Sequence, residues 1–344
     1  MTASSRPWRA RAARAGTTAA GLVAALVGLS SVQAQDSGSP VVTSLTLFAG
    51  TSGGLWRSKD WGVHWERVTG SSSGATLEAV GAVYSVLPVG RSVYLAAEAG
   101  LFSSDDYGVT WKKLGIEVPV HYVLPSRYPN VDHTVFAGTA DGLLRSTDGG
   151  KTFAPTVLRG TPVTRLEWPG PALVVTTAHG VLVSGDGAAS FSSGTGLPEG
   201  PPTALAVSSF FSRDPVVFTA VGSGGVFRSL DGGGTWLSAG LVGTAVYDIV
   251  WLGPILYAAT DQGLLRSENN GTTWVPVAGV PAHAARRIIF PLAPDSGLEA
   301  FLAIDEGLLH TTDGGAHWKA VGAPEDTVLC LATFPPPEHL LRKK

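Results

Sequence analysis

The chain has 344 residues, with 24 Lys and Arg against 27 Asp and Glu for a formal net charge of −3. Gly numbers 44 and charged residues make up only 15%, the balance of a turn-rich compact β protein and not of a disordered one. A single Cys excludes a disulfide framework.

The first 34 residues read as an export signal. Arg6, Arg9, Arg11 and Arg14 precede the short apolar run Ala19–Leu29, and Val32-Gln33-Ala34 fits a small-residue cleavage site. The run is short of the ~20 residues that span a bilayer. No two of these Arg are adjacent and no Cys follows the run, which argues against twin-arginine export and lipid attachment. Cleavage after residue 34 leaves 20 basic against 27 acidic side chains, a balance that disfavours nucleic acid or an anionic membrane surface as partner. Residues 35–44 are expected to be a linker.

From Leu45 onward one unit recurs. A Ser/Thr-x-Asp-x-Gly-x-Thr-aromatic octapeptide appears as Ser58–Trp65, Ser104–Trp111, Ser146–Phe153, Ser184–Phe191, Ser229–Trp236, Ser267–Trp274 and Thr311–Trp318, at intervals of 38 to 46 residues. Ahead of each copy stand a β-rich segment (Val135–Thr139) and a second strand opened by Gly (Gly142–Ser146), joined by a turn such as Ala140-Asp141-Gly142. After each copy comes a loop of variable length and an apolar strand, as in Val83–Pro88, Val120–Pro125 and Val246–Trp251. Four strands per unit of about 40 residues predict one propeller blade. The strands are lettered a to d from the axis outward, so the octapeptide spans the c–d turn. Its acid can accept turn N–H groups, its Gly permits a left-handed backbone, and its aromatic can fill space between blades. The acid column reads Asp60, Asp106, Asp148, Asp186, Asp231, Asn269 and Asp313. Copy four departs most, with Ala188 for Gly, Ser190 for Thr and Phe191 for Trp.

This octapeptide resembles the Asp-box, or BNR repeat, of sialidases, sortilin-type receptors, xyloglucanases and photosystem II stability/assembly-factor-like propellers. The uninterrupted series over residues 45–334 is most similar to the last group. The resemblance implies a β-propeller and leaves activity open, because those families do unrelated things. The Gly-His and Trp-Asp signatures of WD40 repeats do not occur in register.

The expected fold is therefore all-β, a seven-bladed propeller of four-stranded antiparallel blades. Blade one starts with its b strand, and Val328–Phe334 is a surplus strand of a character, so the ring is expected to close through the C-terminal strand. Pro335-Pro336-Pro337 stops further pairing, leaving residues 335–344 as a tail.

Candidate site residues fall in two sets. The b–c turns carry Glu98, Asp141, His179, Asp261, Asp305 and Glu306, all expected on the face opposite the octapeptides. Such acids could draw a cation or a basic partner, or simply make good turns. On the innermost strands, alignment on Val86, Val123, Leu166, Val207, Ile249, Ile288 and Leu331 puts Ser85, Tyr122, Arg165, Ala206, Asp248, Arg287 and Cys330 in the preceding column. Arg165, Asp248 and Arg287 are then charges near the axis, to be paired structurally or used in recognition. Cys330 reads as a buried structural thiol. The octapeptide acids offer one carboxylate each, too few for calcium. His64 and His317 occupy Thr slots, and no metal, cofactor or catalytic residue is assigned.

A binding or assembly scaffold acting through the channel face is the leading expectation, exported to the periplasm, envelope or exterior, monomeric, with a protein or glycan partner. The alternative is a sialidase-like glycoside hydrolase, for which Arg165, Arg287, Tyr122, Tyr247, Glu167 and Asp248 supply the residue types. Against it, sialidases have six blades, fewer boxes and an early aromatic-Arg-Ile-Pro segment not found here. A structural part of an envelope assembly is the third reading.

Overall fold

The computed structural model describes residues 45–70, 76–126, 129–170, 172–208, 210–252, 254–291 and 299–334. The expected signal 1–34, linker 35–44 and tail 335–344 lie outside the described residues. Seven four-stranded antiparallel sheets follow one another, and no helix among the described residues is long and apolar enough to cross a membrane.

Each sheet is one blade. The inner a strands are Val328–Phe334 for blade one, then Val83–Val89, Val120–Pro125, Val163–Glu167, Pro202–Val207, Val246–Leu252 and Ala285–Ile289 for blades two to seven. Val328–Phe334 pairs antiparallel with Thr46–Thr51, from Thr46 opposite Phe334 to Thr51 opposite Val328. The chain's last described strand thus completes its first blade, and no blade is left short of a strand.

The b strands form the core. Thr46–Thr51, Val135–Thr139, Leu173–Thr177 and Val217–Val221 are buried at every position. A strand flanked on both edges by its own sheet and on both faces by neighbouring blades has no solvent side, so it reads as an unbroken apolar run and not as an alternation. The outer d strands are the reverse. Most have two exposed residues, such as Glu66–Arg67 and Lys112–Lys113, and charge on so short an edge discourages further pairing. Each d strand begins one residue after the octapeptide's aromatic.

The octapeptide turn follows one hydrogen-bond plan. In blade two the Ser104 hydroxyl donates to Asp106 Oδ1 at 2.7 Å and accepts from Gly108 N at 2.8 Å. Asp106 Oδ1 also accepts from Thr110 N (2.8 Å), and Oδ2 accepts from the Thr110 hydroxyl (2.6 Å). His64 and His317 replace the Thr, with Nδ1 2.6 Å from Asp60 Oδ2 and from Asp313 Oδ2. In blade six Asn269 keeps the plan with Oδ1 accepting from Thr273 N and Nδ2 donating to the Thr273 hydroxyl. In blade three the Thr152 hydroxyl and amide, with the Ser146 hydroxyl, hold the Asp148 carboxyl well below the usual carboxylate range. Both carboxylate oxygens are engaged inside the turn, Oδ1 by a backbone amide and Oδ2 by a side chain, as in Asp106 and Asp148.

The turn needs two consecutive left-handed residues, not one. Trp61 (φ 62°) precedes Gly62 (φ 82°), and Tyr107 (φ 61°) precedes Gly108 (φ 79°). Copy four puts Ala188 at φ 73° where the others have Gly. The octapeptide's Trp then locks the blades. Trp65 Nε1 donates to Gly322 O of blade seven, and Trp274 Nε1 to Ala239 O of blade five, both at 2.8 Å. Trp111 packs with Phe48 and Phe334 of blade one. A second tie was not foreseen. Arg57, Arg145 and Arg228, each one residue before an octapeptide, donate from Nη1 to the Gly108, Gly187 and Asn270 carbonyls of the next blade.

Candidate functional site

The seven inner strands enclose a cavity of about 500 Å3, and every blade contributes to its wall. Each inner strand carries a register shift near its start. Val83 faces Ala97 and Ser85 faces Ala96, so Tyr84 is an extra residue, and the same shift recurs in the other six blades. A bulge re-aims the side chain it carries. Tyr84, His121, Thr164 and Thr203 are such residues, and all four line the cavity. The His121 ring meets Tyr84 edge-on at 5.5 Å, and its Nδ1 is buried without a hydrogen-bond partner among the described residues.

The strand register stacks the wall in tiers. The tier below the bulges holds Ser85, Tyr122, Arg165, Asp248, Arg287 and Cys330, matching the column read from sequence in six blades. Blade five is a correction. Ala204, opposite Ala220, stands in this tier with Leu205 as its apolar neighbour, while Ala206 lies two residues further along. Side chains two apart on a strand share a face, so the alternation Ala204-Leu205-Ala206-Val207 fits either register.

The charges in this tier are largely spent on one another and on the backbone. Arg165 Nη2 is 3.4 Å from Asp248 Oδ1, an ion pair that joins blades four and six past blade five. Asp248 Oδ2 accepts from Ile288 N at 3.3 Å. Arg287 donates from Nε to Leu329 O (2.8 Å) and from Nη1 to Tyr247 O (2.7 Å) and Arg286 O (2.9 Å), tying blades six, seven and one. Burial, with the neighbouring Arg165 charge, lowers the Arg287 guanidinium below its ordinary value. Cys330 was expected to be a buried structural thiol. It is instead half-buried and lines the cavity, where burial lifts its thiol to about 11. Such a thiol is no nucleophile at neutral pH.

One tier further in stands Glu167, a residue weighed from sequence only for the hydrolase alternative. Its tier-mates Leu87, Leu124, Ala206, Val250, Ile289 and Ala332 are all apolar. Burial raises the Glu167 carboxyl to about 7, with Arg165 opposing the shift. Burial also pushes the Tyr122 hydroxyl above its ordinary value, and the Glu167 charge adds to it.

The b–c turns emerge where the inner strands begin, at the cavity's mouth. Glu98, Asp261 and Asp305 each donate a backbone N–H to the residue leading into strand a, at Ala82, Ala245 and Ala284. Glu98, Asp141, His179, Asp261 and Asp305 are exposed there. Asp305 is paired with Arg286 at 2.8 Å, whose guanidinium lies 4.4 Å over the Tyr247 ring. Glu306 lies 3.4 Å from His283. Thr51, Thr139, Thr177 and Thr260 shape four of these turns by donating to a carbonyl three residues on. At the opposite end, the a–b connections join the octapeptide turns, as in Tyr107 N to Arg91 O. Among the described residues no group of three or more His, Cys, Asp or Glu could hold a metal ion.

No protein-family model matches the chain, and no curated protein matches it. Solved structures do. YCF48 bound to D1 peptide aligns with a TM-score of 0.61 at 16% identity, over 79% of this chain and 91% of that one. An ancestral GH74 enzyme aligns at 0.58 with 18% identity, over 71% of this chain. An extracellular domain from B. thetaiotaomicron aligns at 0.57 with 11% identity, over 72%. This chain spans only 39% and 35% of the last two. Likeness at such identities establishes a shared fold: the chain is a seven-bladed β-propeller of four-stranded antiparallel blades.

Proposed function

We propose that this chain is an exported, non-catalytic member of the Asp-box propellers that captures a protein partner on the face around the channel mouth. The observation that carries this reading is the arrangement of that face. Exposed Asp141 and Asp261 have no side-chain partner among the described residues, and they stand in turns at the mouth of a cavity walled by all seven blades. Loops of unequal length, from 160–162 to 194–201, join strands d and a on a rigid frame, the setting in which recognition concentrates. YCF48, of the same fold, is known with a peptide bound, which supports a protein over a glycan partner.

Glycoside hydrolysis is the second reading, favoured by Tyr122 and Glu167 lining one cavity. Their chemistry speaks against it. The Tyr122 hydroxyl is harder to ionise than usual, whereas a nucleophile must be easier. Asp248 and Arg287 are also engaged with the frame.

The test is capture from the native envelope by the wild-type chain, by Asp141→Lys/Asp261→Lys, and by Lys151→Glu on the octapeptide face. Loss of partner in the double variant only, with more salt sensitivity and an unchanged melting temperature, is the expected result. Equal loss with Lys151→Glu refutes the assignment of the face. Glycoside turnover abolished by Tyr122→Phe moves the protein to the enzyme class.

A further inference from the structure

The channel has an axial charge pattern that the partner-binding face does not require. Its outer tier holds Arg165 and Arg287 against Asp248, a surplus of one positive charge, and its inner tier holds Glu167 alone among apolar side chains. The two tiers are two residues apart along strand a, about 6–7 Å. Neither level is saturated. Arg165 meets one carboxylate oxygen, at 3.4 Å, and a guanidinium carries five N–H donors. Arg287 Nη2 has no hydrogen-bond partner among the described residues, while Nε and Nη1 are used. Glu167 has no hydrogen bond or ion pair among the described residues, and Val250 and Ile289 of blades six and seven line the same cavity. A carboxylate away from bulk water is costly until a donor or a cation meets it.

We propose that the cavity is a binding site for a small zwitterion that enters ammonium-first, its amine on Glu167 and its carboxylate or carbonyl oxygen on the open N–H groups of Arg165 and Arg287. A cation alone is opposed by the arginine tier and an anion alone by Glu167. A molecule carrying both, amine innermost, satisfies the two levels together. About 500 Å3 lies in the range of small-molecule sites. Two sources carry this chemistry: a free amino acid, or the amino terminus of a peptide whose first carbonyls replace the carboxylate. Val250 and Ile289 suit the methylenes between the charged ends.

The site is coupled to protons. An ammonium ligand needs Glu167 ionised, and burial holds that carboxyl at about 7, so binding near neutrality releases a proton. The other titratable groups of the cavity are Arg165 on the same strand, Tyr122 and His121 from blade three, Asp248, Arg287 and Cys330, with Tyr84 at the mouth.

Calorimetric titration of the full chain with 4-aminobutyrate, butylamine and butyrate tests the proposal, with tetra-alanine and its N-acetylated form as the second arm. Expected is binding of 4-aminobutyrate about tenfold or more tighter than of either half-ligand, since each charge-assisted contact contributes that much. Heat that varies with buffer ionisation near pH 7 is expected, and so is loss of binding and of that proton release in Glu167→Gln. A melting temperature for Glu167→Gln no lower than the parent's shows that the variant folds, and Glu167→Asp should recover part of the affinity. Tighter binding of free tetra-alanine than of 4-aminobutyrate assigns a peptide terminus as the source. Butyrate or the acetylated peptide binding as well as its amine-bearing counterpart overturns the proposal, as does unchanged affinity in Glu167→Gln or no binding by any amine-bearing zwitterion. The inference rests on the channel-face reading only for access. A partner lost with Asp141→Lys/Asp261→Lys while every probe fails leaves that reading standing and removes this one.

Discussion

The octapeptide rim and the channel wall come from opposite ends of the same repeat, yet they obey different rules. On the rim, seven turns use one hydrogen-bond plan with interchangeable parts: Thr110, Ser190, His64 and His317 all bond the second carboxylate oxygen of their acid at 2.6 Å. In the channel, equivalent positions hold Ser85, Tyr122, Arg165, Ala204, Asp248, Arg287 and Cys330, no two of them doing the same thing. A rim turn has to serve only its own blade and the next. A channel residue faces six others across a shared space, so its identity answers to the ring as a whole.

The contrast breaks if a rim residue proves dispensable. Trp111 is 2% exposed and packs across the gap between blades one and two, so Trp111→Ala should cost about 3–5 kcal/mol. Denaturant unfolding that shows little change in midpoint would mean the aromatic decorates the gap and does not hold it. Asp106→Ala comes next. It leaves the Thr110 amide and hydroxyl without their acceptor and should cost about 1–3 kcal/mol, with calcium making no difference to either protein. A melting temperature that rises with calcium in the parent alone would turn the rim acids into ligands.

Acid sharpens the comparison, because the two regions respond with opposite sign. The Asp148 carboxyl is depressed in the folded state, so its contribution is present above the unfolded value near 3.8 and is lost as pH falls below it. Glu167 is raised from 4.5 to about 7, so the native state holds the extra proton in that window and stability falls as pH rises through it. Glu167→Gln should therefore raise the melting temperature by a few degrees at pH 8 and leave it unchanged at pH 4. Melting curves that shift equally at both values would show that Glu167 is solvated like any surface acid. The smallest effect belongs to the odd rim turn. Ala188→Gly relieves a left-handed residue worth about 1–2 kcal/mol against a flexibility cost of about 0.5–1 kcal/mol, so it should stabilise by less than about 1 kcal/mol. Destabilisation instead would give the buried Ala188 methyl a packing role that outweighs its backbone strain.

The rim was legible in the sequence because a rule repeated seven times is visible without partners. The acid, the Gly and the aromatic all took the places their spacing implied, and blade closure followed from counting strands. What repetition hid was the position before that Gly. Trp61, Tyr107 and Asn270 share a left-handed backbone there with Gly149, Gly187, Gly232 and Gly314, and four residue types conceal one conformation. The Arg57, Arg145 and Arg228 ties were missed for a related reason, since Ser103, Val183 and His310 stand at that position in blades two, four and seven, and Arg266 of blade six pairs with Glu268 instead. The channel was legible as a column and illegible as a site. Its charged members were named, but nothing in the spacing of Arg165 and Asp248, 83 residues apart, says that they meet past an intervening blade. The bulges were invisible, because an added residue in an apolar strand leaves the pattern of its neighbours intact. Glu167 drew notice only as a residue type, its isolation being a property of the six strands around it.

The pairing of Thr46–Thr51 with Val328–Phe334 also carries a timetable. During synthesis the six internal blades can assemble in order, each from consecutive residues, whereas the first must wait with one edge bare for a strand made almost three hundred residues later. Bringing such distant segments together is the slow step of a ring like this one, because the loop entropy must be met before the contacts reward it. Until then the exposed edge of the nascent blade is the place where a chaperone would bind or a neighbouring chain would misassemble. A ribosome that stops before Val328 releases an open arc with that edge unpaired, so the closing strand serves as the ring's own certificate.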